Sequence, residues 1–531
     1  MKIQKYISLL MVMLVTVFTI SSCTKGFEEM NKPYNQANTA SVGEIYNSIV
    51  SSMQINWQEQ ATYHSFVYEI TQQTTQFASS GYRMENASSE MWQTYFTMLA
   101  NSKLIDTVIS ADPNKANMTN ILAMNRTLRA YKTMRTTESF GDIPYSEAGY
   151  AIYGTAYYKP KYDSQEEVYK KSINDLKWSV DNFSTSADQV KLGSSETFLK
   201  EDIALWKKFA NSLRLRYAVT MYDKDPVFAE AHITDALSKP LLVEGEDIGL
   251  WPSKIQGLVF DMHSWSFSAN QYIRLGTTMW DQMSNNDNQD GSGIFDPRCK
   301  IFFEPNNAGN WVAYPQNPTA STPSEGGDPY NDLRDNDWSS KGTNCVYSPI
   351  NYYFKDKTYI PELMITAAQV HLFKAEVYNR GLGVAKDAGV AKQEYEAGIT
   401  ASCNFWNQIA IDCPKWVNGK PAALPSSAEL TALLSDPKVA YNSGDEAAAL
   451  KKIYTQMWVD GFRQPWDIWT LYRRTGGNLP KDPDNASYTE NNYGIYHRYT
   501  YPATEQDYNS DSWSAAMGGS DKYDTKIWLE Q

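Results

Sequence analysis

The 531-residue sequence has only five histidines and five cysteines, and neither set is spaced to hold a metal. His64, His232, His263, His371 and His497 are scattered, and Cys23, Cys299, Cys345, Cys403 and Cys413 include no C-x-x-C pair, which argues against structural zinc. G-x-S-x-G, H-E-x-x-H and the G-x-x-x-x-G-K-[ST] phosphate loop are all missing. Serine-hydrolase, zinc-protease and phosphotransfer chemistry therefore have no motif to stand on, and no cofactor is implied. Basic charge is short as well. The formal net charge is −13 and no basic stripe exists to replace the counterions of a nucleic acid, which disfavours that partner. After Ile20 no run is long and apolar enough to cross a bilayer.

Aromatic residues are abundant: 36 Tyr, 16 Trp and 19 Phe, many of them in stretches rich in Asn, Gly, Pro and Ser with no helical period. Rings in such segments are expected at the surface, where they suit flat apolar ligand faces. The 42% hydrophobic and 21% charged residues fit a globular chain with a large core. Cys403 and Cys413 read either as a bridge across a chain reversal or, better, as free and partly buried thiols.

The N-terminal segment reads as an address. Lys2 and Lys5 precede an apolar run from Ile7 to Ile20, and Ile20-Ser21-Ser22-Cys23 fits the bacterial lipobox. Residues 1–22 are then a lipoprotein signal peptide, Cys23 is the acylated mature N-terminus, and 23–40 form a polar tether.

The body, 41–531, reads as one all-α domain. Its organising stretch is Glu362–Ala410, where Ile365, Ala368, Leu372 and Ala375, then Tyr395, Ile399, Ser402, Trp406 and Ile409, recur at three- and four-residue steps. Two such helices joined by a short loop make a tetratricopeptide-like hairpin, with Ala368 and Ala375 where the backbones come closest. Further helices are predicted over Val42–Gln60, Ser89–Ser110, Thr119–Ser139, Ser164–Phe183, Glu201–Tyr222, Pro226–Leu237 and Asp445–Leu471. Asp163 or Ser164 suits an N-cap. Residues from about 241 to 357 form a long irregular insertion with room for short strands, and a loop of that length points to binding. The end, Gly476–Gln531, is also read as irregular.

Several segments then coincide with one family. They are Cys23 with Phe27–Asn31, SFGDIPYSEA (Ser139–Ala148), WKKFANSLRLRYA (Trp206–Ala218), DPR (Asp296–Arg298), QVHLFKAEVYNRG (Gln369–Gly381), the stretch Gln456–Gly476, and the tail pieces Arg498–Asn509 and Lys526–Gln531. In this order the chain resembles the SusD/RagB family of outer-membrane nutrient-binding lipoproteins, in its SusD-like branch. It departs at Trp528-Leu529, where the family more often has two tryptophans. The resemblance implies an α-α superhelix of helical pairs supporting an irregular ligand-binding lobe, no enzymatic activity, and a SusC-like TonB-dependent transporter as partner at the cell surface of a Gram-negative bacterium. It also implies an oligosaccharide ligand, with no motif that fixes which one. A surface glycoside hydrolase on a helical scaffold and a protein-binding helical-repeat scaffold are the alternatives.

The family motifs themselves read as structural: Arg214, Arg216, Arg473, Arg474 and the Asp296–Arg298 turn are expected in ion pairs and caps. Ligand contacts are sought where rings and amides mix, because a sugar offers a flat C–H face and hydroxyls that need partners. Tyr82, Arg83 and Asn86, then Trp265, then Trp311, Tyr314 and Trp338 meet that description, whereas Trp280 reads as packing. Asn285–Gly293 has alternating oxygen ligands, but Pro297 stands where an EF-hand loop needs its Glu, so a solvated loop is the better reading than a calcium site.

Overall fold

The computed structural model describes residues 41–78, 84–255, 267, 272–482 and 488–531. It is mostly helical, as expected, and its helices begin where side chains satisfy the first free N–H groups. α1 (Val42–Ser51), α2 (Trp57–Thr62), α5 (Gln165–Asn182) and α11 (Ala367–Arg380) each open on a reciprocal capping box, at Ser41/Glu44, Asn56/Glu59, Ser164/Glu167 and Thr366/Gln369. Between α2 and α11 lie α3 (Glu85–Ala111), α4 (Thr119–Phe140), α6 (Ile203–Thr220) and α7 (Pro226–Leu237). Asp202 caps α6, and Asp225 caps α7 with Pro226 at the first helical position. Neighbours in sequence pack as neighbours in space, α3 on α4, α4 on α5, α5 on α6 and α6 on α7, which makes the superhelix. α6 also packs on α11 and so joins the two halves of the chain.

The organising hairpin is α11 with α12 (Ala388–Asp412). A Cβ on Gly398 would lie 3.2 Å from the Ala368 carbonyl oxygen and 2.9 Å from Leu372, so the backbones meet at Ala368, as expected, with Gly398 opposite. The expected start at Glu362 is corrected. Glu362–Ile365 is a strand, β4, because Thr366 caps the helix after it and the segment pairs antiparallel with β2 (Ile248–Leu250). A second short ladder pairs β1 (Thr75–Gln76) with β3 (Ile273–Arg274).

Other boundaries move for local reasons. Val42–Gln60 is broken at Ser52–Asn56, and α2 continues beyond Gln60 through a π turn at Tyr63–Val67 to Ile70. Asp445–Leu471 is two helices, α14 (Glu446–Asp460) and α15 (Pro465–Arg474), because Pro465 cannot continue a helix but can start one. Between them and α12 lies α13 (Ser427–Ser435), which sequence reading passed over although Ser426 and Glu429 form its capping box. Among its described residues the irregular insertion carries the short α-helices α8 (Thr277–Met283), α9 (Cys299–Phe302) and α10 (Asp332–Asn336). The tail carries three more, at Tyr488–Tyr493, Ala503–Tyr508 and Ser510–Met517.

Two hydrophobic cores result. One lies among α1–α7 and the tail, the other among the insertion, α12 and α14. β4, α11 and α15 feed both, through Ile365 and Leu363, Val370 and Leu372, Trp469 and Ile468. The second core corrects the expectation that the insertion's rings lie at the surface. Trp311, Tyr314, Tyr330, Tyr347, Tyr352 and Tyr353 are all buried, and Trp280 is buried as expected. A lobe with only short helices lacks long aliphatic stripes, and large rings supply the apolar area that such a core needs.

Candidate functional site

A buried arginine helps to hold the irregular lobe to the helical frame. Arg298 is fully buried and donates Nε and Nη2 to the two oxygens of Asp296, at 3.0 and 2.6 Å. Its remaining donors reach Ser402 Oγ on α12 at 3.0 Å and Gln456 Oε1 on α14 at 2.7 Å. The DPR turn is thus an ion pair that fixes α9 against the frame, as its residue types implied.

Downstream of α9 the chain lines an open hollow of about 550 Å³, within the range of small-molecule sites. Its wall includes Lys300, Phe303, Glu304, Asn307, Trp311, Arg334 and Asn351, with Val417–Gly419 contributed by the loop after α12. The backbone is pinned on both sides. Glu304 N–H donates to the Pro349 carbonyl at 3.1 Å, and Trp311 N–H to the Gln289 carbonyl at 2.7 Å. Asn418 N–H donates to Tyr353 Oη at 2.7 Å, and Asn418 Nδ2 to the Ser339 carbonyl at 2.8 Å.

Arg334 and Glu304 form the polar heart of the wall. Nη1 and Nη2 of Arg334 reach Oε1 and Oε2 of Glu304 at 2.6 and 3.0 Å, a fork-on-fork pair, and Nη1 also donates to the Pro329 carbonyl at 2.7 Å. The guanidinium lies over the Tyr352 ring, 4.1 Å from its centroid. Burial disfavours the Arg334 charge, but the Glu304 carboxylate more than offsets this and holds its pKa above the ordinary value. Burial raises the pKa of the Cys345 thiol, which touches Asn307 at 3.4 Å. The four cysteines among the described residues are free.

Trp311 lines this hollow but is only 8% exposed, so it offers an edge and not a face. It stacks on Trp280, with centroids 6.4 Å apart and planes 18° apart. Gly291, with φ +75°, also abuts the indole: a Cβ there would lie 2.7 Å from Trp311 Cδ1. The Asn285–Gly293 loop therefore does more than face solvent, since Asp287 also accepts the Trp280 indole N–H at 3.0 Å. Among the described residues no group of three His, Cys, Asp or Glu side chains is placed to hold a metal ion.

Tyr314 lies in the core, edge-on to Tyr347, and is not part of the wall. Trp338 is half-buried beside the hollow, stacked on Tyr353 with Lys415 over its ring at 4.5 Å. Tyr82, Arg83, Trp265 and Cys23 lie outside the described residues. Asn86 falls inside α3, which starts four residues earlier than Ser89, and not in the expected loop. Glu304, Arg334, Asn307, Asn351 and Asn418 are the wall residues that sequence reading passed over.

A second hollow, of about 330 Å³, opens between the start of α5 and the tail. Its ring Tyr501 is packed on Phe140 and Trp92 and donates its hydroxyl to the Asp142 carbonyl, so that hollow is a seam of the frame. No helix among the described residues is long and apolar enough to cross a membrane.

Three comparisons bear on identity. A search of curated proteins gives no match. Solved structures share the fold: a chitin-binding protein at 21% identity and TM-score 0.68, covering 92% of this chain and 100% of its own. A SusD homologue from Bacteroides fragilis gives 18% and 0.69, covering 93% and 100%, and a chitin-binding SusD homologue from Flavobacterium johnsoniae gives 19% and 0.66, covering 92% and 98%. The SusD-like family model, described as starch-binding and associating with the outer membrane, matches residues 32–502. With that match running through both halves of the superhelix and the lobe between them, the chain belongs to the SusD-like family.

Proposed function

We propose that this protein is a cell-surface lipoprotein that captures an oligosaccharide in the Trp311 hollow and passes it to a SusC-like TonB-dependent transporter. It is a binding protein and not an enzyme. Residues 1–22 are removed as a signal peptide, Cys23 carries the lipid, 23–40 form the tether, and 41–531 act as a single domain. The observation that carries the reading is the hollow itself. It sets one indole edge and the apolar Phe303 and Val417 beside the amides of Asn307, Asn351 and Asn418. Apolar patches alternating with amide donors and acceptors match a sugar's C–H faces and hydroxyls. Two structural neighbours are named as chitin-binding, which supports a glycan over a peptide. Trp338, at the rim, is the second ring within reach of a ligand that extends past the hollow.

The test is a glycan panel read by calorimetry, with reducing-sugar assays alongside. Binding without product, weakened by Trp311→Ala, is expected. Product formation, or binding that ignores Trp311 and Asn418 substitutions, overturns the reading. Pull-down from outer membranes is expected to recover a barrel protein, and recovery of none counts against the transporter.

A further inference from the structure

Charge around the hollow runs against the charge of the chain. The sequence carries −13, yet the described wall holds Lys300, Lys341 and Arg334 against one carboxylate, Glu304. Glu304 is already taken, since both its oxygens bind Arg334. The pair is neutral, and the two lysines remain uncompensated. Neither ammonium has a carboxylate within 4.0 Å among the described residues, unlike Lys170, Lys208 and Lys239 on the helical frame. Both lysines are exposed, so their charges face solvent at the mouth of the hollow.

Their backbones are nevertheless fixed. Lys300 sits in α9, two residues from the buried Arg298, and its carbonyl accepts from Asn351 Nδ2 at 3.5 Å. The Lys341 carbonyl accepts from Asn331 Nδ2 at 3.3 Å, and the neighbouring Thr343 N–H donates to the Asp328 carbonyl at 2.8 Å. Two unpaired cations on anchored segments beside a concave, partly apolar wall raise the local concentration of an anion, even on an acidic protein. A neutral sugar accepts hydrogen bonds from them but gains no charge attraction.

We infer that the ligand of this hollow is an anionic oligosaccharide, one that carries carboxylate or sulfate groups on its sugar rings. The inference rests on the proposed glycan reading and narrows it. Lysine ammonium groups serve both anions as point charges, so the two sources share one chemistry.

Matched probes separate charge from shape. The purified protein is titrated with an oligogalacturonate and its methyl ester, with a sulfated carrageenan oligosaccharide and its desulfated form, and with a neutral chito-oligosaccharide. At least one anionic probe is expected to bind about three- to thirtyfold more tightly than its neutral match, the gain from two exposed ion pairs. That gain is expected to shrink as salt rises. Preference for the uronate or for the sulfate identifies the source. The double substitution Lys300→Glu with Lys341→Glu is expected to erase the preference by weakening anionic binding more than neutral binding. Because both side chains are exposed, melting temperature is expected to hold, and Lys300→Gln with Lys341→Gln checks the same point without introducing new charge. Equal binding of charged and neutral matches overturns this inference and leaves the glycan reading standing. Failure of every saccharide to bind overturns both.

Discussion

Replacing Arg298 by methionine tests whether one buried ion pair ties the binding lobe to the frame. The substitution keeps much of the side-chain volume and removes four hydrogen bonds, two to Asp296, one to Ser402 and one to Gln456. Asp296, 1% exposed, is left as a buried carboxylate with no cation. Breaking a buried pair in this way costs about 3–5 kcal/mol, more than the loss of any one hydrogen bond. Unfolding entropy of roughly 2.1 cal/mol/K per residue, over 531 residues, gives about 1 kcal/mol per kelvin. The melting temperature is therefore expected to fall by about 3–5 °C. Adding Asp296→Asn removes the orphaned charge, so the double variant is expected to recover part of the loss. Calorimetry of the wild type, both single variants and the double variant closes the cycle. A single variant within about 1 °C of wild type, or a double variant that melts below Arg298→Met, would refute the ion-pair account.

Trp311→Ala is expected to weaken glycan binding at least about fivefold, with Trp311→Phe intermediate, as measured by calorimetry. Gly291→Ala places a Cβ against the Trp311 indole in a left-handed turn, so it is expected to cost about 1–3 kcal/mol in denaturant melts and to weaken the same binding. Glu362 accepts Ile55 N–H on both oxygens at 3.0 Å, and burial pushes its pKa up to about 7. The folded protein thus holds a proton that the unfolded chain gives up near pH 4.5. Stability is expected to fall as pH rises from about 4.5 to 7, and Glu362→Gln is expected to flatten that fall in melts across the range. Lys132 is buried, its Nζ has no hydrogen-bond partner, and burial lowers its pKa to about 8. Its charge destabilises the folded state below that value and ceases to matter above the unfolded pKa near 10.5, so Lys132→Met is expected to raise stability by up to about 3 kcal/mol at pH 7 and by less at pH 10.

Much of the frame was legible because helices announce themselves. The stripe through Ala368, Leu372 and Ala375 and the cap at Ser164 depend only on residues a few positions apart. The strand at Glu362–Ile365 was not legible, because its partner Ile248–Leu250 lies more than a hundred residues earlier, and three apolar residues before a helix extend the helical pattern as well as they start a strand. The site was half legible for the same reason. Trp311 stood out by type and does line the hollow, while Tyr314 stood out equally and packs inward, since burial is decided by the fold around each ring. Arg334 and Glu304 gave no signal: they are thirty residues apart in an irregular segment, and only the folded chain brings their forks together.

The burial of the rings changes how this lobe can recognise a sugar. A binding site made of exposed indole faces holds any ring that stacks, and its affinity is largely indifferent to charge. Here Trp311 is buried, stacked on Trp280 and touched by Gly291, and Tyr314, Tyr330 and Tyr352 are packed against other rings. Little aromatic area is left for stacking, so on the proposed reading discrimination falls to the polar groups of the wall: the amides of Asn307, Asn351 and Asn418 and the ammonium groups of Lys300 and Lys341. Those groups sit on backbone pinned by the Arg298 anchor and the Glu304–Pro349 and Asn418–Tyr353 hydrogen bonds, so they meet a ligand with their positions already set. A pre-set polar wall rejects a sugar that leaves its donors unpaired more sharply than an apolar one rejects a misfit. On the proposed reading, the lobe's rings serve selectivity indirectly, by holding the polar groups of the wall still.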